Sequence, residues 1–233
     1  GMVGARQGWV EAPYGTVPCK PHGQPFAKPV TKDPRIDVHV IPGLKQTDTP
    51  DVMRGEETQI AGLLKAMPNF DGVACLPGTH TKWVHISAGE VVSFRTFMTG
   101  ELFGLIAKNS VLRHSIGSGW DDATFAKAVT DTLSRPEAMA ANLFAIRADQ
   151  LLNATDPGHA KARLSGLLIG AELAAARPYW LGQNIVLIGD ETLSKHYATA
   201  LETQGAPTHI ADATQTTLAG LAAARALSQE PTQ

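Results

Sequence analysis

Between residues 72 and 97 three apolar runs follow one another closely: Gly72–Leu76, Trp83–Ile86 and Val91–Phe97, broken at Pro77-Gly78 and at Ala88-Gly89. Runs of this length, rich in β-branched and aromatic residues and bounded by turn residues, read as consecutive strands of a meander. The pattern around them is helical. Ile60, Leu63, Leu64 and Met67 precede the meander at helical spacing, and Thr99 is placed to cap a helix over residues 100 to 108. Amphipathic stretches follow near 121 to 134, 137 to 153 and 159 to 177, the last with Gly166 and Gly170 set for close helix packing. Ile185–Ile188 reads as a buried strand, breaking at Gly189 into a helix with Leu193, Tyr197, Ala200 and Leu201. A short strand at His209–Ala211 and an alanine-rich helix over 216 to 227 complete the chain. A meander followed by alternating helices and strands implies an α/β fold with a mixed sheet. No internal repeat is visible.

Residues 11 to 51 look different. They hold Pro13, Pro18, Pro21, Pro25, Pro29, Pro34, Pro42 and Pro50, and only Val38–Ile41 reads as a strand. This is loop-rich surface, and long irregular segments in compact proteins are commonly functional.

Composition narrows the function classes. With 233 residues, 43% of them hydrophobic, the chain can bury a substantial core. A net charge of −2 without a basic block gives nucleic acid no electrostatic footprint. Cys19 and Cys75 cannot build a disulfide framework, and Cys75, inside an apolar run, reads as a buried thiol. No apolar stretch approaches the ~20 residues that cross a bilayer, and the first residues lack a secretion pattern, so a reducing cytoplasm is expected.

Two segments carry chemistry. Arg54-Gly55-Glu56-Glu57-Thr58-Gln59 puts a carboxylate at the mouth of a helix, where a reacting hydroxyl can be deprotonated. About twenty residues later, Leu76-Pro77-Gly78-Thr79-His80-Thr81-Lys82-Trp83 is a small-residue turn whose amides and hydroxyls can hold a phosphate. Together they suggest phosphoryl transfer. Each also has an ordinary explanation. An acid in a first helical turn complements the helix dipole, worth ~0.3–1 kcal/mol, and a Pro-Gly pair between strands is commonly only a turn. His80, with no second His or Cys beside it, is no metal site, and no metal ligands are assigned in this chain.

Four segments resemble the 2-keto-3-deoxygalactonate kinases: Gly4–Pro13, Asp51–Gln59, Pro77–Trp83 and Ser165–Glu172. They occur in the family's order and span nearly the whole chain. The resemblance implies the ribonuclease-H-like, actin-like ATPase fold of sugar kinases. Residues 1–56 would be a residual part of the first, sugar-binding lobe, and residues 57–233 an essentially complete second, nucleotide-binding lobe. It implies ATP-dependent phosphorylation of 2-dehydro-3-deoxy-D-galactonate on its terminal hydroxyl, in galactonate breakdown.

The resemblance assigns Glu56 as the catalytic base, with Glu57 its competitor. Gly78, Thr79, His80, Thr81 and Lys82 would hold phosphate, with Lys82 neutralising charge on the transferring group. Arg6, Trp9, Tyr14 and Arg54 are the sugar-acid candidates, since a carboxylate suits a guanidinium fork and a sugar face suits a ring, and Glu57 is counted with them as a substrate-binding residue. Gly189-Asp190-Glu191-Thr192, at a strand end opening a helix, fits an adenosine-site turn. Kinases of this superfamily open on an Asp-x-Gly-Thr-type phosphate loop whose Asp holds Mg2+. That segment is expected upstream of this sequence, so the chain by itself is expected to be inactive. A non-catalytic sugar-acid or nucleotide-binding module of the same fold is the alternative. Oligomeric state, self-association included, stays open.

Overall fold

The computed structural model describes residues 8–229, which form two compact units. The first takes the described residues up to Leu76, then Lys82–Thr96 and those from Ile210 onward, and the second takes Pro77–Thr81 and Phe97–His209. The chain thus passes back and forth between the units.

In the first unit the meander forms as read: β4 (Gly72–Leu76), β5 (Thr81–Ser87) and β6 (Glu90–Phe97), in the order β6-β5-β4. β4 and β5 run antiparallel with Cys75 opposite Trp83 and Val73 opposite His85. β4 is buried along its whole length, and Trp83, Val84 and Ile86 of β5 are fully buried. A strand covered on both faces must be apolar at every position, which is why β4 reads as an unbroken run.

A second, smaller sheet was not foreseen. β1 (Gly15–Thr16), β2 (Leu44–Gln46) and β3 (Asp51–Met53) come from the proline-rich segment, β1 parallel and β2 antiparallel to their partners β2 and β3. Asp51 and Gln46 tie this sheet to β6. The Asp51 carboxylate accepts from Thr96 N and Thr96 Oγ1, each at 2.7 Å, and Gln46 Oε1 accepts from Phe94 N at 3.0 Å. The strand expected over Val38–Ile41 does not form; Val40 alone bridges to Ala27. Pro42, lacking an N–H, cannot extend a ladder there.

Helix α1 (Glu56–Ala66) packs on the final helix α8 (Ala213–Gln229) almost backbone to backbone. A methyl on Gly62 would stand 1.8 Å from Thr216 O, and one on Gly220 1.9 Å from Thr58 O.

The second unit is built around α5 (Pro157–Ala175). α2 (Thr99–Asn109), α3 (Asp122–Ser134) and α4 (Met139–Asn153) pack on it, and Leu112, Ala128, Ile146, Leu164 and Leu168 share one core cluster. Gly166 and Gly170 do what their spacing promised: a methyl would come within 2.6 Å of Phe125 O and 2.7 Å of Val129 O. Overpacking of that kind costs ~1–3 kcal/mol. The unit continues through α6 (Arg177–Trp180), the buried strand β7 (Ile185–Gly189), α7 (Glu191–Glu202) and the start of β8 (Thr208–Asp212). Thr99 does not cap α2; Met98 holds the cap position, and the Thr99 hydroxyl donates instead to Glu172. A buried carboxylate is the stronger acceptor for a hydroxyl that must find a partner.

Candidate active site

In the first unit, β3 runs into α1 through Arg54 and Gly55. Gly55 is the N-cap, at φ 113°, a backbone conformation that side chains other than glycine's rarely adopt. No side chain caps the helix, so the two acids that follow turn back on the chain. Glu56 Oε2 accepts from Arg54 N at 3.0 Å, and Glu57 Oε2 from Gly55 N at 2.6 Å. Their surroundings then separate them.

The Lys82 ammonium, at the start of β5, stands 3.3 Å from Glu56 Oε1, with side-chain exposures of 6% and 26% respectively. A buried ammonium is costly without a counter-charge, so the carboxylate and the lysine belong together. Glu57 is only 2% exposed and also accepts from Thr58 Oγ1 at 3.2 Å. Burial pushes its pKa up to about 7, against the opposing pull of the Gly55 amide. The geometry leaves Glu56 reachable and turns Glu57 inward.

Arg54 lies over the Tyr14 ring, its guanidinium carbon 4.2 Å from the ring centroid. Its Nη2 donates to Ala12 O at 3.0 Å and its Nε to Tyr14 Oη at 3.4 Å. Nη1 is buried and has no partner among the described residues. Two arms of the expected fork are therefore engaged by the protein, leaving one orphaned donor. Trp9 is 60% exposed, and Arg6 lies outside the described residues.

The second unit holds a cavity of about 400 Å³ whose walls include Gly78, Thr79, Gly100, Trp120, Lys161 and Asp190. Gly78 has nothing within 4 Å of where a methyl would sit, so its backbone faces open space. Gly100 is closed in: a methyl there would fall 2.2 Å from Gly78 O, and Glu101 N donates to Thr79 O at 2.9 Å. The first turn of α2 is thereby docked on the loop. His80 Nε2 lies 2.5 Å from Glu101 Oε2, which engages it with a carboxylate. Thr81 is fully buried, its Oγ1 3.0 Å from Tyr197 Oη.

Gly189 touches the loop from the other side, a methyl there meeting Pro77 O at 2.9 Å. Asp190 caps α7 by accepting from Leu193 N at 3.0 Å, and Glu191 pairs with Lys195 at 2.6 Å. Trp120, Lys161 and His196 on the cavity wall escaped the sequence reading. Trp120 and His196 stack at 4.0 Å and 11°. Burial holds the His196 imidazole below its ordinary pKa, helped by Lys161 and opposed by Asp122 and Asp190. The aromatic residues near 120 and 196 carried no spacing signal, because their pairing is made only by the packing of separate elements. Among the described residues no three His, Cys, Asp or Glu side chains gather as a metal site, and no helix is long and apolar enough to cross a membrane.

The chain is a carbohydrate kinase with the actin-like ATPase fold. Component A of (R)-2-hydroxyglutaryl-CoA dehydratase from Acidaminococcus fermentans shares that fold. It superposes with a TM-score of 0.50 at 16% identity, over 76% of this chain and 70% of that one.

The family is narrower. A model described as 2-keto-3-deoxy-galactonokinase matches residues 1–224, and the chain belongs to that family. It is 43% identical to the probable 2-dehydro-3-deoxygalactonokinase DgoK1 of Rhizobium meliloti (strain 1021), over 97% of this chain and 77% of that protein. It is 35% identical to the 2-dehydro-3-deoxygalactonokinase of Escherichia coli (strain K12), over 88% and 70%. A crystal structure from Sinorhizobium meliloti, of a protein provisionally described as a 2-dehydro-3-deoxygalactonokinase, matches with a TM-score of 0.90 and 40% identity, over 99% and 79%.

Proposed function

We propose that this protein transfers the γ-phosphoryl group of ATP to the terminal hydroxyl of 2-dehydro-3-deoxy-D-galactonate, in the cytoplasm, as a step of galactonate breakdown. The observation that carries the reading is the Glu56–Lys82 pair at 3.3 Å, on the glycine corner that opens α1. Glu56 accepts the hydroxyl proton as the oxygen forms its bond to the γ-phosphorus, and the bond from that phosphorus to the bridging oxygen breaks to release ADP. A base earns ~10²–10⁴-fold in such a step. Lys82 neutralises charge on the transferring group and holds Glu56 in place.

Glu57, buried and hydrogen-bonded to the chain, supports the corner instead of touching substrate. Arg54 Nη1 is the buried donor that lacks an acceptor, and the substrate carboxylate supplies one. Tyr14 fixes the guanidinium plane, and Trp9 and Arg6 are the remaining sugar-acid candidates. The turn at Gly78 and Thr79 takes phosphate, with the cavity behind it holding the nucleoside. On this reading the boundary between lobes falls at residues 56 and 57. Kinases of this kind work with a divalent metal, Mg2+ being the expected ion.

The test is product formation. With ATP and the sugar acid, phosphorus NMR on the enzyme carrying the Asp-x-Gly-Thr phosphate loop ahead of these residues should show ADP and a terminal phosphate ester. R54Q should raise KM for the sugar acid by at least about tenfold with KM for ATP unchanged, as expected when one charge-assisted contact is lost. Wild-type protein that forms no ester, or an R54Q variant indifferent to the carboxylate, would refute the assignment.

A further inference from the structure

The conspicuous group left unused is Glu172. It lies on α5, 3% exposed, three residues beyond the apolar run Leu167–Ile169. One oxygen, Oε2, accepts from two hydroxyls: Tyr197 Oη at 2.8 Å and Thr99 Oγ1. Both hydroxyls donate to it. Tyr197 has a single proton and gives it to Glu172. At the 3.0 Å contact between Thr81 Oγ1 and Tyr197 Oη, the threonine is therefore the donor. With Glu172 as the acceptor the chain runs from Thr81 to Tyr197 to Glu172, with Thr99 arriving from the other side.

This has two consequences for the phosphate loop. The Thr81 proton is committed to Tyr197, so Thr81 anchors the loop instead of donating to a phosphate. Thr99 precedes Gly100, the residue that docks against Gly78. The end of the loop and the start of α2 are thus held by one carboxylate oxygen, and Thr99 and Tyr197 themselves stand in the cavity wall. We propose that Glu172 is a positioning residue for the nucleotide phosphates, setting the spacing between the 78–81 turn and the first turn of α2. The proposal rests on the reading of Gly78 and Thr79 as the phosphate turn. It explains why a carboxylate is kept where an apolar side chain would be easier to bury.

Calorimetry with ADP and steady-state kinetics on wild type, Y197F, E172Q and the double variant test it. The wild type should bind ADP. Y197F, which removes one hydroxyl, should weaken ADP binding and raise KM for ATP by about tenfold, with KM for the sugar acid unchanged. E172Q should do the same, and the double variant should be no worse than the weaker-binding single, because the residues act in one chain. Should E172Q fail to fold, T99V takes its place. A lowered Tm with ADP affinity within about twofold of wild type would make the network merely structural and overturn the proposal. Additive losses would overturn it too. No ADP binding by the wild type would refute the phosphate-turn reading and this inference with it.

Discussion

Gly55-Glu56-Glu57-Thr58 and Gly189-Asp190-Glu191-Thr192 are almost the same four letters, each at the start of a helix, and they end in opposite circumstances. At α7 the N-cap is Asp190, whose carboxylate accepts from Leu193 N at 3.0 Å, and Glu191 reaches along the surface to Lys195. At α1 the N-cap is the glycine, at φ 113°, so both acids fall one position later, inside the helix. Neither can cap. They fold back on the amides of Arg54 and Gly55, one meeting a buried lysine and the other buried outright. A shift of one residue in the helix start turns a pattern that stabilises a helix into one that presents a carboxylate beside an ammonium. The letters are a poor guide to chemistry until the N-cap is known.

The largest effect should come from breaking α1's side of the pair. E56Q should lower kcat by about 10²–10⁴ while leaving ADP affinity intact, since the amide keeps the shape but cannot take a proton. Near-normal turnover would move the base elsewhere.

The next effect is on stability and belongs to Glu57. Its folded pKa of about 7 stands above the 4.5 of the free side chain, so the native protein keeps a proton that the unfolded chain releases between those values. The contribution to stability is therefore full below the unfolded value and is lost as pH climbs through about 7, a fall on the order of 3 kcal/mol. Urea midpoints measured across that window should drop for wild type and stay flatter for E57Q. Equal slopes would mean that Glu57 is not the group that titrates.

The smallest effect is at α7. D190A removes the cap bond and should cost about 0.5–2 kcal/mol, read as a lower Tm. A cost far above that would show that Asp190 does more than cap its helix.

The regular part of the chain was legible because its patterns are local. β4 had to be apolar throughout, and Gly166 and Gly170 announce a close helix contact by their four-residue spacing. β1, β2 and β3 were hidden because each is only two or three residues long and is fixed by distant groups, among them Asp51 on Thr96. Gly62 and Gly220 form one contact from opposite ends of the chain, which no window of sequence contains. The site divides the same way. Glu56, Lys82, Arg54 and Tyr14 were named from the sequence and are found together in the first unit. Trp120 and His196 were not, and Glu172 was read only as the end of the Ser165–Glu172 segment, with no role of its own, although a glutamate one turn beyond Leu168 on an apolar helix face was a usable signal.

The most direct test makes the same isosteric change at both acids that follow an N-cap residue, E56Q and E191Q, and compares kcat under saturating ATP and sugar acid. Glu191, exposed and paired with Lys195, should be indifferent, as surface pairs commonly are. The account predicts E191Q within about twofold of wild type and E56Q at least about a hundredfold below it. Equal kcat values for the two variants would contradict it.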